Sequence, residues 1–295
     1  MRTLLTLAWW TLMTPITALL TLPVALLTGN SSFLYRASMW VVRVGIKLSG
    51  VRVQIIGRDR LDPARTYIFM SNHVSNLDPP LLIPLLPGRT SVLVKKELFR
   101  IPILGFAMRV AHLVPVDRRN REAAIASVRA AADVIRSGLS MTIFPEGTRS
   151  LDGRLQPLKK GPFYLAIESG CPIVPVTLLG TYEILPKGKS LIAPEKAVAQ
   201  IVFHPPISPQ DFPDRDALIA AVRDSIASAL PVEVLKALDL KEIRLLSNNP
   251  DQVAAVEAAG IAVRERVPCE PEPRSAHSKR YLRTKKEKMG HLFSK

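Results

Sequence analysis

Hydrophobic and polar positions divide the chain into three stretches of different rhythm. From Thr3 through Tyr35 there is no charged residue, and Leu4 to Leu27 is almost wholly Leu, Ala, Thr, Val, Ile and Trp. At about 1.5 Å of rise per residue, that run is long enough to cross a hydrocarbon core of about 30 Å. Pro15 and Pro23 interrupt it, so a kinked span and a re-entrant hairpin entering and leaving on one face both fit. Trp9 and Trp10 are suited to marking an interface. A cleaved signal peptide fits less well, because the n-region offers only Arg2, the apolar part is too long and no A-x-A site follows. Arg36, Arg43, Lys47 and Arg52 then interleave with Met39, Trp40, Val41, Val42, Val44 and Ile46. This pattern suits a basic amphipathic segment on lipid headgroups, or an ordinary surface helix packed on the domain.

In the second stretch, short β-branched runs alternate with helical periods. Strands are predicted at Val51 to Ile56, Tyr67 to Met70, Ser91 to Val94, Leu113 to Val116, Leu139 to Phe144, Ile173 to Gly180 and Ala197 to Phe203. Helices are predicted beyond Pro80 through Leu81-Leu82-Ile83, within Ile101 to His112, and over Arg121 to Arg136, Pro162 to Ser169 and Asp214 to Leu230. In the third of these, Ile125, Val128, Ala132 and Ile135 recur at helical spacing and Gly138 is a natural stop. Strands alternating with helices predict an α/β sandwich. The domains expected are a membrane-anchoring helical segment over 1–50, an α/β domain over 51–230 and a small α/β appendage with a basic tail over 231–295.

Composition narrows the partners. The net charge is +15, and Cys171 and Cys269 are the only cysteines. A polyanionic partner is implied, whether nucleic acid, a phosphate-bearing substrate or an anionic membrane. Nucleic acid is not expected, because the basic residues are scattered and few aromatics are interleaved for base stacking. Two isolated cysteines and five histidines without metal-ligand spacing predict a reducing compartment and no structural metal.

The candidate chemistry lies in Ser71-Asn72-His73-Val74-Ser75-Asn76-Leu77-Asp78-Pro79-Pro80, an NHxxxxD pattern between a strand and a helix start. Asp78 before Pro79 is suited to capping the helix that follows. It is equally suited to holding the tautomer of His73 and stabilising its cation. A neutral imidazole with pKa ~6.5 can take the proton of an alcohol near pH 7. Downstream, Pro145-Glu146-Gly147-Thr148-Arg149-Ser150 leaves a strand with glycine beside a carboxylate, hydroxyls and arginine. Such a loop lets amides approach an anion while a guanidinium grips it, and it can also be simply a polar loop. Lys95 and Lys96, at another strand end, fit either a phosphate or a solvated edge.

The motif order is more specific than any one motif. Asn72-His73 with Asp78, then Val116-Asp117-Arg118, then Phe144 to Ser150, then Val174-Pro175-Val176 with Gly180 resembles the four blocks of the glycerolipid acyltransferases, specifically the 1-acyl-sn-glycerol-3-phosphate acyltransferases, over residues 35–230. The resemblance implies a membrane enzyme of phospholipid biosynthesis that moves an acyl group from acyl-CoA or acyl carrier protein to a lysophospholipid hydroxyl, chiefly making phosphatidic acid, with no cofactor. It casts His73 as general base and Asp78 as its orienter. Asn72, Arg118, Glu146, Gly147, Thr148 and Arg149 would hold the acceptor, and Pro175 would shape an acyl pocket. Backbone amides near His73 or Gly147 are candidate oxyanion donors. Where the family usually has a glycine before the second block, this chain has Ala111-His112. The implied location is the inner or cell membrane, with the catalytic domain on the cytoplasmic face.

The third stretch resembles the end of GTP cyclohydrolase II. The resemblance is carried by Ile243-Arg244-Leu245-Leu246-Ser247-Asn248-Asn249-Pro250, Glu265-Arg266-Val267-Pro268 and Tyr281 to Leu292. That family's zinc-binding cysteines and catalytic residues have no counterpart here. Ser247 stands where threonine is usual, and Gln252 where a nucleotide-contacting lysine is expected. A strand-helix-strand appendage without cyclohydrolase activity is expected, with a packing, dimerisation or nucleotide-binding role. Arg274 to Lys288 carries seven Lys or Arg against one Glu, suited to anionic lipid at ~1 kcal/mol per basic residue or to a solvated tail. The alternatives to the leading function are a membrane-tethered nucleotide-binding or regulatory protein, and an acyltransferase for another lysolipid such as a lyso amino-acid lipid.

Overall fold

A computed structural model of the chain describes residues 2–117, 121–193, 198–230, 242–246, 253–254, 256–257 and 262–267. Two helices come first, α1 (Arg2–Thr28) and α2 (Ser32–Ser49). The apolar run is one continuous helix with Pro15 and Pro23 inside it. Of the two forms that fit the sequence, a hairpin within this run is therefore absent, and the hairpin forms between α1 and α2 instead. The chain reverses at Gly29, whose φ is +64°. The two helices then run antiparallel: the Trp9 indole donates to Val41 O at 2.9 Å, Trp9 stacks edge-on against Trp40, and Trp10 lies so close to Gly45 that a Cβ there would meet Nε1 at 2.0 Å. Packing along the whole helix offsets the hydrogen bonds lost at the prolines.

The inner stripe of α1 is mostly small and polar. Thr3, Thr6, Thr17, Ala18, Thr21, Leu22 and Ala25 are buried, while Leu4, Leu12, Leu19, Leu20, Leu26 and Leu27 each expose more than half their surface. Thr6 and Thr21 satisfy their hydroxyls on the carbonyls of Arg2 and Thr17, one turn back.

A seven-stranded sheet follows, formed by β1 (Arg52–Ile56), β2 (Ile68–Ser71), β3 (Thr90–Lys95), β4 (Val114–Val116), β5 (Ser140–Ile143), β6 (Ile173–Leu179) and β7 (Val198–Phe203) in the order β1-β7-β6-β2-β5-β3-β4. Every pairing is parallel except β6 with β7. Strand β2 lies mid-sheet and is buried on both sides, hence its apolar run without alternation. Phe69, Val174, Val176 and Leu178 pack on one face with α3 (Asp78–Leu82) and with Trp10 and Ile46 of the hairpin. On the other face, Ile68, Met70, Met141 and Ile173 pack under α5 (Arg121–Arg136), α6 (Gly161–Ser169) and α8 (Arg215–Ala227). Asp214 caps α8 through the Ala217 amide. Two short helices, α4 (Leu104–Val110) and α7 (Thr181–Ile184), complete this part. Arg43 donates to Pro84 O at 2.8 Å, fastening α2 just beyond α3. The Ile192 amide donates to Thr3 Oγ1 at 3.1 Å, while Ala18, Leu22 and Ala25 pack with Ala107, Val110 and Ala111. Thus α1 touches the domain near both of its ends.

Two of the C-terminal strands, β8 (Glu242–Leu246) and β9 (Ala262–Val267), pair in parallel with a register shift at Ile243/Arg244. Parallel pairing is what the expected strand-helix-strand unit requires. Ser247, Gln252 and the basic tail lie outside the described residues.

Candidate active site

Because β4, β3, β5, β2 and β6 run parallel, the segments leaving them share one edge of the sheet, the edge where α/β folds bind ligands. His73 follows β2, Lys96 follows β3, Asp117 follows β4, Phe144 to Ser150 follows β5 and Gly180 follows β6. The topology therefore gathers four blocks that are scattered in sequence.

Beyond Ser71 the chain leaves the sheet through Asn72, which is 1% exposed. Its amide pairs with one residue of β6, accepting from Leu178 N at 2.7 Å and donating to Leu178 O at 2.9 Å. Asn72 therefore anchors the turn, and its amide does not face a substrate as expected. The backbone of His73 is held on both sides by the β5 loop: His73 N donates to Glu146 Oε1 at 2.6 Å, and Ser150 N donates to His73 O at 2.8 Å. Phe144 stacks on the imidazole at 4.2 Å, which leaves the ring little freedom to turn.

Asp78 is fully buried. Its Oδ2 lies 2.7 Å from His73 Nδ1 and accepts from the amides of Val74 and Ser75 at 2.7 and 2.8 Å. These amides precede the carboxylate, and Asp78 makes no capping bond to α3. Of the two roles weighed for Asp78, the structure therefore places it on the imidazole and its turn. The amides can only donate, so Oδ2 is an acceptor and His73 Nδ1 carries the proton. Nε2 is left with its lone pair, the form a general base needs.

Glu146 is 1% exposed, and its second oxygen accepts from Gln156 N at 3.0 Å. With both oxygens engaged on the backbone, the carboxylate ties the β5 loop to the His73 turn. This departs from the expected substrate contact. Burial pushes its pKa up to about 7, against the pull of the Gln156 and His73 amides and with a smaller push from Asp78. Gly147 has φ +73° and packs against the stem of Lys159, a conformation that side chains disfavour. Thr148 is exposed and Arg149 half-buried. Pro175 pairs with Met70 inside the sheet, and Arg118 lies outside the described residues. Lys96 is ion-paired with Asp117 and Lys95 with Glu97, so these lysines are neutralised locally. The amides of His73, Val74, Ser75 and Gly147 already donate within the protein, which removes them as oxyanion donors. His112, in the Ala111-His112 pair that precedes β4, takes φ +60°, the left-handed conformation that glycine adopts most readily.

Lys187 was not singled out from the sequence, yet its ammonium donates to Arg149 O at 2.9 Å and lies 3.4 Å from Thr148 Oγ1. The only linear signal is a Lys-Gly-Lys turn after Pro186. Ser75 also escaped notice; its hydroxyl donates to Leu185 O at 2.7 Å and fastens that turn beneath the NHxxxxD segment.

The fold agrees with the comparisons. Residues 52–179 match the family model described as Acyltransferase, and residues 221–268 match that of GTP cyclohydrolase II. A 1-acyl-sn-glycerol-3-phosphate acyltransferase of Limnanthes alba is 40% identical over 168 residues, covering 57% of this chain and 58% of the relative. One of Borreliella burgdorferi is 30% identical over 191 residues, covering 64% and 76%. The crystal structure of the 1-acyl-sn-glycerophosphate (LPA) acyltransferase PlsC from Thermotoga maritima matches with TM-score 0.65 at 25% identity, over 80% of this chain and 98% of that one. The chain thus spans about three fifths of the length of the plant relative. It belongs to the 1-acyl-sn-glycerol-3-phosphate acyltransferase family.

Proposed function

We propose that the chain transfers an acyl group from a thioester, acyl-CoA or acyl carrier protein, to the free hydroxyl of 1-acyl-sn-glycerol-3-phosphate. The observation that carries this reading is His73, held through Nδ1 by Asp78 and tied by its backbone to the loop that carries Gly147 to Arg149. Nε2 takes the hydroxyl proton as the oxygen attacks the thioester carbonyl; the C–S bond then breaks, and the thiolate leaves with that proton. A thioester is already activated, so positioning, a base and a grip on the phosphate are what the protein must supply. Arg149 and Thr148 are assigned to the acceptor's phosphate and glycerol, with Arg118 following by family resemblance. Asn72 and Glu146 act through the backbone they hold.

The enzyme lies on a membrane in this reading. Of the described helices, α1 alone is long and apolar enough to cross one, but its threonine stripe and its attachment to the domain near both ends favour a hairpin lying in the interface. The hairpin packs on the sheet face that carries α3, so lipid substrates reach His73 from the bilayer side. The test is to offer the purified protein a panel of lysolipids with acyl-CoA and with acyl carrier protein. Phosphatidate from lysophosphatidate is the expected product. Preference for an acceptor without phosphate would overturn the assignment.

A further inference from the structure

Lys187 lies outside every motif that identifies the family, on the segment after α7. That segment is pinned to the NHxxxxD turn by the hydrogen bond from Ser75 to Leu185 and by a bridge between Ser75 and Pro186. From there the Lys187 ammonium reaches Arg149 O at 2.9 Å. That carbonyl belongs to the same peptide unit as the Ser150 amide, which donates to His73 O at 2.8 Å. The C=O and N–H of a trans peptide point in opposite directions. A single peptide plane therefore holds the catalytic turn on one side and a lysine cation on the other.

The surroundings of this cation differ from those of Lys95 and Lys96, each of which has a carboxylate partner. An ammonium has three N–H donors; here two directions are taken by uncharged oxygens, those of Arg149 and Thr148. Among the described residues, no carboxylate lies within 4.0 Å of it. Lys96, by contrast, sits on Asp117. A cation held by neutral acceptors keeps its charge for a ligand, and its remaining donor can make the charge-assisted bond that phosphate oxygens favour. Thr148 and Arg149, to which it is tied, are the residues assigned to the acceptor's headgroup.

We infer that Lys187 binds the phosphate of the acceptor lipid beside Arg149 and sets the preference for phosphate-bearing over uncharged acceptors. The inference rests on the proposed acyl transfer to lysophosphatidate. It is tested with Lys187→Ala and Lys187→Arg in the full chain, measuring kcat and KM for lysophosphatidate and the inhibition constant of the 2-deoxy analogue, which lacks the accepting hydroxyl. Loss of one charge-assisted contact should raise both KM and the inhibition constant of Lys187→Ala about 30-fold. Its kcat should stay within about twofold, and Lys187→Arg should recover most of the affinity. A fall in kcat with KM and the inhibition constant unchanged would make Lys187 a loop strut and overturn the inference, as would an unaltered variant. Absence of wild-type transfer to lysophosphatidate would instead overturn the functional reading itself.

Discussion

In the sheet, β2 removes Ile68, Phe69 and Met70 wholly from solvent, whereas α1 turns Thr3, Thr6, Thr17 and Thr21 inward and leaves most of its leucines outside. A leucine gains about 1.5–3 kcal/mol on full burial, so the six most exposed leucines of α1 would forgo on the order of 10 kcal/mol in water. A bilayer would remove that deficit, and Thr6 and Thr21, bonded to their own helix, would pack there without unpaired hydroxyls. On the proposed membrane location the domain is arranged for two solvents, and the NHxxxxD turn leads into α3 on the sheet face that the hairpin covers.

Four variants test this contrast, in falling order of expected effect. Phe69→Ala should cost about 3–5 kcal/mol, read in detergent as a lower denaturant midpoint at unchanged slope; a loss below 1 kcal/mol would mean the sheet is not the main core. Leu19→Asp with Leu20→Asp removes about 3–5 kcal/mol of lipid burial, lowering vesicle partition more than 100-fold while leaving the detergent midpoint nearly unchanged. Destabilisation in detergent would show instead that this face is packed on protein.

The third variant concerns pH. Glu146 has a folded pKa raised from 4.5 to about 7, so its ionisation weakens the fold as pH climbs through that interval, by up to about 3 kcal/mol. His204 opposes it: burial lowers its pKa from 6.5 to about 4, and its neutral ring bonds to Thr177 Oγ1 at 2.8 Å, which in turn donates to Ile226 O. The unfolded chain takes up that proton first, so stability falls as pH drops from 6.5 towards 4. The two slopes nearly cancel between pH 4.5 and 6.5. Glu146→Gln should expose the acid-side loss due to His204, and an unchanged pH profile would mean that Glu146 is not the group responsible. The smallest effect is that of Thr21→Val, under about 1 kcal/mol in detergent, because the lost hydroxyl bond is internal to α1; a cost above 2 kcal/mol would give the threonine stripe a tertiary role.

The sheet was legible because buried strands need β-branched and aromatic residues over short runs bounded by turns, and each predicted strand of the α/β domain appears within a few residues. The helix α7 was missed, being a single turn with too short a period to register. The prolines of α1 left a kinked span and a hairpin both open, and the structure gives a continuous helix because local propensity yields to packing along a whole helix. At the site, the pairing of His73 with Asp78 could be read from chemistry, but not the work of Asn72 and Glu146. A buried polar group that satisfies a backbone amide 73 residues away, as Glu146 does for His73, looks identical in sequence to one that meets a ligand. Lys187 was invisible for the complementary reason, since only the fold brings it to Arg149.

The most direct measurement is phosphatidate formation from lysophosphatidate and acyl-CoA by the purified protein in lipid, compared with His73→Ala. The wild type should form product, and the variant should lose at least about 10²–10⁴-fold in kcat with an unchanged unfolding midpoint. Activity in the variant within a few-fold of wild type would contradict the assignment of His73 as the base.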